Sequence, residues 1–157
     1  MKKLLFLLLC LVPALSVASG DVAASIDEIK VKLENSTVKP VDWYTKGDTE
    51  FAETNNRYIM SKIAINKNKA IANVKVARND FLWNGVAICR TLTDIIPHEP
   101  SELSWDETKW SEDDKLISSV VAENLEWGKA KTFTLNDWKV DFTQQSELEV
   151  DCVIKKL

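Results

Sequence analysis

Between residues 58 and 77 the chain alternates apolar and polar positions. Tyr58 to Ile65 and Ile71 to Ala77 are rich in β-branched residues, with Ile63 and Ile65 on one face of the first run and Ala72, Val74 and Val76 on one face of the second. A period of two predicts half-buried strands. Asn66-Lys67-Asn68-Lys69 between them predicts a hairpin turn. Asn84-Gly85, just ahead of Val86-Ala87-Ile88-Cys89, predicts another turn and a third antiparallel strand. Alternation returns in Lys131 to Leu135, Lys139 to Thr143 and Leu148 to Ile154, where Phe133 shares a face with Leu135, and Leu148 with Val150 and Cys152.

Two stretches fit more than one period. Ser25-Ile26-Asp27-Glu28 has the form of a capping box opening a helix with Ile26, Ile29 and Leu33 on one side. Ile29, Val31 and Leu33 equally alternate as a strand does. Ser104-x-x-Glu107 and Ser111-x-x-Asp114 are two further boxes. After the second, Leu116, Ile117, Val120, Val121 and Leu125 fall at helical spacing ahead of Gly128. That pattern predicts a helix near 112–127, in competition with a strand over 115–122. Val38 to Tyr44 reads as extended, Thr45 to Asn56 as a polar loop turning at Gly47-Asp48, Asn35-Ser36-Thr37 as a turn, and Pro97-His98-Glu99-Pro100 as a break.

Six or seven short strands, with cysteines far apart in sequence, predict a mainly β fold: an antiparallel immunoglobulin-like β-sandwich with one helix near 112–127, or alternatively an α+β arrangement. The run Ile65 to Val76, then Asn84 to Ile88 and Leu125 to Phe133, resembles the FxLYD-type immunoglobulin-like domains of exported bacterial proteins. That resemblance implies a fold rather than an activity. No repeat, low-complexity run or long linker divides the chain, so residues 19–157 are expected to form a single β-rich domain.

The first 18 residues change the chemistry of the rest. Lys2 and Lys3, the apolar run Leu4 to Val12, Pro13, and the small residues of Ser16-Val17-Ala18 read as a signal peptide cut after Ala18. Its removal takes Cys10 with it and leaves the even pair Cys89 and Cys152, expected to form a disulfide in a periplasmic or secreted protein. It also removes two of 20 basic residues against 24 acidic ones, moving the formal charge from −4 to −6. An acidic surface repels phosphate, so no nucleic-acid partner is expected. Lys67, Lys69 and Lys75 read as the solvent side of strands. No membrane span is expected once the signal is removed.

Candidate chemistry is sparse. His98 is the only histidine, and neither Gly-x-Ser-x-Gly nor Cys-x-x-Cys occurs. The acids Asp106, Glu107, Glu112, Asp113 and Asp114 lack the alternating spacing and glycine of a calcium loop and suit helix starts. No catalytic residue, metal or cofactor is therefore assigned. Six tryptophans are the main unexplained feature: Trp43, Trp83, Trp105, Trp110, Trp127 and Trp138. Large rings usually close a core. Trp83 on a turn, and Trp105 with Trp110 in an acidic stretch, are the candidates for an exposed contact surface.

The expected function is that of an exported, non-enzymatic protein-binding domain, as an inhibitor or immunity protein or as an accessory subunit of an envelope or surface assembly, with another exported protein as its partner. The alternative is an enzyme acting on cell-envelope polysaccharide through a carboxylate pair.

Overall fold

The computed structural model describes residues 25–36, 38–55, 57–97, 107–122 and 125–157. The segment read from sequence as a signal, with Cys10, and likewise His98, Ser104, Trp105 and Asp106, lie outside the described residues.

Seven antiparallel strands form one sheet: β1 (Val41–Lys46), β2 (Thr49–Asn55), β3 (Ile59–Asn66), β4 (Lys69–Val76), β5 (Ala130–Leu135), β6 (Trp138–Ser146) and β7 (Glu149–Lys156). Their order is β1-β2-β3-β4-β7-β6-β5. Side chains that set the backbone locally close the hairpins. Gly47 takes φ 68° in the two-residue β1–β2 turn, where only glycine adopts that angle freely. Asn136 and Asp137 both take positive φ between Leu135 and Trp138, as a type I′ turn requires. The Asn66 side-chain oxygen accepts from Asn68 N–H at 3.0 Å in the β3–β4 turn, and Ser146 Oγ accepts from Leu148 N–H at 3.2 Å in the β6–β7 turn.

Read outward from the centre, β4-β3-β2 and β7-β6-β5 are matching meanders, joined by β4 and β7, which are both eight residues long. A helix precedes each meander: α1 (Ile26–Glu34) the first, and α3 (Glu112–Ala122) the second. A third helix, α2 (Leu82–Ile95), lies over the β4–β7 junction and touches both of the others. The mainly β, antiparallel class is as expected. Within it, the layer across the core, which a sandwich draws from a second sheet, is helical, so the fold takes the α+β form of that expectation.

Residues 86–89 are helix, not the third strand that Asn84-Gly85 predicts. Over fourteen residues the buried positions of α2 are Gly85, Val86, Ile88, Cys89, Leu92 and Thr93, a stripe at helical spacing that outweighs the local turn preference. Gly85 packs on β4, and a Cβ there would meet Val74 Cγ1 at 3.4 Å, an ordinary contact, so neither space nor backbone demands glycine. The 45–56 segment is likewise not a loop, because β2 occupies most of it. Among its described side chains Ala52 and Thr54 are the buried ones, so its sequence lacks the apolar alternation that marks β3 and β4.

The two ambiguous stretches resolve as helices. In α1 the Ser25–Glu28 box is complete, with Ser25 N–H donating to the Glu28 carboxylate at 2.7 Å and Glu28 N–H donating to Ser25 Oγ at 3.3 Å. Ile29 and Leu33 are buried while Val31 is 55% exposed, which a strand could not arrange. Lys30, on the flank of α1, donates to Glu50 of β2 at 2.8 Å and lies 5.2 Å from the Trp43 ring, tying the helix to its meander. The Lys30 ammonium, and then the Thr45 hydroxyl at 2.6 Å, hold the Glu50 carboxyl below the ordinary carboxylate range. In α3 Ser111 Oγ accepts from Asp114 N–H at 3.1 Å, and the Asp114 carboxylate accepts from Ser111 N–H at 3.0 Å, so the second box is a working cap. The helix ends at Ala122, short of the expected 127.

The core lies between sheet and helices. Ile63, Ile65, Ala72, Val74, Val140, Phe142, Val150 and Ile154 face Leu33, Val86, Leu92 and Ile117. Cys89 of α2 and Cys152 of β7 are bonded to each other, fully buried, with Cα atoms 5.6 Å apart. The disulfide is as expected, but it joins a helix to a strand rather than two strands.

Candidate functional site

Large apolar side chains left in contact with solvent gather at one end of the sheet, where β1 and β3 begin, β4 and β6 end, and β7 begins. Tyr58 is 43% exposed, Met60 54%, Trp83 55%, Trp127 61% and Leu148 41%. Four separate segments supply them, and the sheet's hydrogen bonding fixes three of the four, while Trp83 comes from the start of α2. Ala77 N–H donates to Tyr58 O at 2.9 Å, and Val76 N–H donates to Leu148 O at 2.9 Å. Trp127 forms a bridge with Gln144 at the end of β6, reinforced by Gly128 N–H donating to Gln144 O at 2.8 Å.

Part of this end is an aromatic shelf. Tyr58, before β3, stacks on Phe81 of the 3-10 turn Asn79–Phe81, with ring centroids 4.7 Å apart. The Arg57 guanidinium stands 5.6 Å from the Tyr58 ring and that of Arg78 5.8 Å from the Phe81 ring. Arg78 is also held by Asp80 at 2.9 Å. Trp83 follows in the first turn of α2. These rings are therefore positioned by backbone and stacking before any partner arrives, which reduces the ordering entropy of binding. Each large aromatic carries roughly 150–250 Å² of buriable surface, and Trp, Tyr and Arg are the residue types over-represented among binding hot spots.

Of the residues singled out from sequence, Trp83 is part of this surface. Trp110 is half-buried immediately before the α3 cap and does not belong to the group of strongly exposed rings. Trp105 lies outside the described residues. Trp138 is 7% exposed and packs in the core, as large rings usually do. Tyr58, Phe81 and Trp127 were not among the sequence candidates. The available signal was their position next to turns, which becomes informative only once the turns are known to share one end of the sheet.

The acids of 112–114 act at the helix start: Asp114 caps, and Glu112 pairs with Lys115 at 2.8 Å. Elsewhere, on the face of the sheet away from the helices, Asn73 Nδ2 donates to both Glu149 and Asp151 at 2.6 Å. Among the described residues no group of three or more His, Cys, Asp and Glu side chains is placed to hold a metal ion. No described helix is long and apolar enough to cross a membrane. Compared with protein-family models, with curated proteins and with solved structures, the chain has no match.

Proposed function

We propose that the chain is an exported, non-enzymatic protein-binding domain that presents the aromatic end of its sheet to another exported protein. The observation that carries this reading is the gathering of Tyr58, Trp83 and Trp127 in solvent, with Arg57 and Arg78 beside the stacked Tyr58 and Phe81 rings. Exposed apolar patches of this kind mark interaction sites in soluble proteins. The disulfide supports an oxidising compartment, in keeping with the signal-like residues 1–18. An acidic chain of this size suits the capture of a basic exported hydrolase, as an inhibitor or immunity protein does, and an accessory subunit of an envelope assembly is the other concrete form.

The test is capture from the exported protein fraction with the oxidised chain as bait, run in parallel with a Trp83→Ala/Tyr58→Ser variant. A partner retained by the unaltered chain should be lost from the variant at equal thermal stability. Equal recovery by both baits would sink the proposal.

A further inference from the structure

The sheet face away from the helices is sorted by charge in a way that the sequence hides. Cross-strand pairing sets Tyr44, Phe51, Ala64, Ile71 and Val153 in one apolar row across β1, β2, β3, β4 and β7, which ends on β6 at Asp141, neutralised by Lys139 at 3.1 Å. Tyr44 and Phe51 stack at one end of it, 5.3 Å apart, and Tyr44 is 55% exposed. Two residues along each strand, toward the end opposite the aromatic shelf, runs a basic row. Lys69 sits directly opposite Lys155 and Lys155 opposite Lys139, and beyond Asn66 and Thr49 the same line reaches Lys46 on β1. Like charges placed directly opposite each other in a sheet are destabilising. Lys139 has Asp141 at 3.1 Å, whereas Lys69 and Lys155 have no ion-pair partner among the described residues. On the other flank of the apolar row lie Glu53, Asn73 and Asp151, with Glu149 beyond them. The lysines on that flank, Lys62 and Lys75, stand 3.8 Å from Glu53 and 3.7 Å from Glu149, and Asp151 is held by Asn73 and Gln145 amides.

We propose that this face is the interface of a symmetric dimer, and that its occupant is a second copy of the same chain. A face that is basic on one flank and acidic on the other, about an apolar line, is complementary to itself after a half-turn around that line. The half-turn lays apolar row on apolar row and sets Lys155 of each copy over Asp151 of the other, with Lys69 beside it over Asn73. A single isologous interface of this kind closes at two copies. It also stacks two sheets with their strands aligned, the preferred geometry for face-to-face packing. A seven-stranded face about six residues long spans roughly 34 by 20 Å, so the pair buries about 1,300 Å², within the range of specific interfaces. An anionic surface or polymer fits less well, because the carboxylates share the face. The aromatic shelf lies at the sheet's end and stays open in this dimer, so this proposal and the partner-binding one stand or fall separately.

Sedimentation equilibrium of the oxidised chain should give twice the monomer mass. Lys155→Glu alone and Asp151→Lys alone should each weaken dimerisation about tenfold or more, as expected for charge reversal at a close interfacial pair. An equimolar mixture of the two variants, and the chain carrying both changes, should dimerise again, since each pairing is then opposite in sign. A chain that stays monomeric up to millimolar concentration overturns the proposal, including one that is monomeric yet sediments with anionic phospholipid vesicles. So does a dimer indifferent to both substitutions, or one that mixing does not restore when both variants melt cooperatively.

Discussion

At the residue scale, two pairs bear most directly on stability. Cys89 and Cys152 are 63 residues apart in sequence and join the central helix to a central strand. In the chain-entropy description a cross-link of that span stabilises by about 4 kcal/mol, through restriction of the unfolded chain. The Cys89→Ala/Cys152→Ala protein should therefore show a lower denaturant midpoint with a loss of that order, and reduction of the unaltered chain should shift it the same way. Lys30 and Glu50 are the second pair. Glu50 is held below its ordinary 4.5, so the stability it contributes is complete above that pH and is lost as the pH falls through the lower folded value. Lys30 is raised above 10.5 by its hydrogen bond to Glu50, so its contribution persists until the pH climbs past that value. Thermal melts across pH should show a shallower acid limb below pH 4.5 for Glu50→Gln than for the unaltered chain. An identical limb would remove Glu50 from the acid response.

At the element scale, α2 separates what the sequence displayed from what it concealed. Gly85 lies in a helix and has no left-handed φ, unlike Gly47 and Gly128. Alanine there would meet Val74 only at ordinary contact distance, so Gly85→Ala should stabilise the fold by up to about 1 kcal/mol, the helix-propensity difference. A hairpin glycine would respond with the opposite sign, so urea denaturation of this one variant distinguishes the two. β3, β4, β6 and β7 were legible because each buries one face and so carries a clean period of two. β2 was not, because each of its faces carries a single apolar residue, Phe51 on one and Ala52 on the other, among polar ones. Residues 86–89 misled because four apolar residues after Asn-Gly satisfy a strand, and the longer helical stripe shows only when Leu92 and Thr93 are counted with them. The Ser25 and Ser111 boxes were legible in full, since capping chemistry is local. Ser25→Ala should cost about 1 kcal/mol, measured by the same denaturation.

At the scale of the whole molecule, sequence periodicity fixes which face of a strand is buried but not which strands adjoin. The antiparallel class followed from pattern, whereas the number of strands agrees only because the false strand at 86–89 offsets the unread β2. The joining of two meanders through β4 and β7, and the helical layer over that junction, did not. The candidate surface suffered for the same reason. Trp83 was singled out on an expected turn that is in fact the first turn of α2, and Tyr58, Trp127 and Leu148 come to the same end of the sheet only through this topology. The lysine row was equally hidden, since Lys46, Lys69, Lys139 and Lys155 come from four different strands. Solubility and steering follow from net charge, whereas contact follows from such local arrangements.

The most direct test of the central claim is a calorimetric titration of a purified partner, recovered by capture, into the unaltered chain and into Trp83→Ala. The account predicts a loss of at least about 2 kcal/mol, roughly 30-fold in Kd, with the melting temperature unchanged. Full affinity in a natively folded Trp83→Ala protein would contradict it.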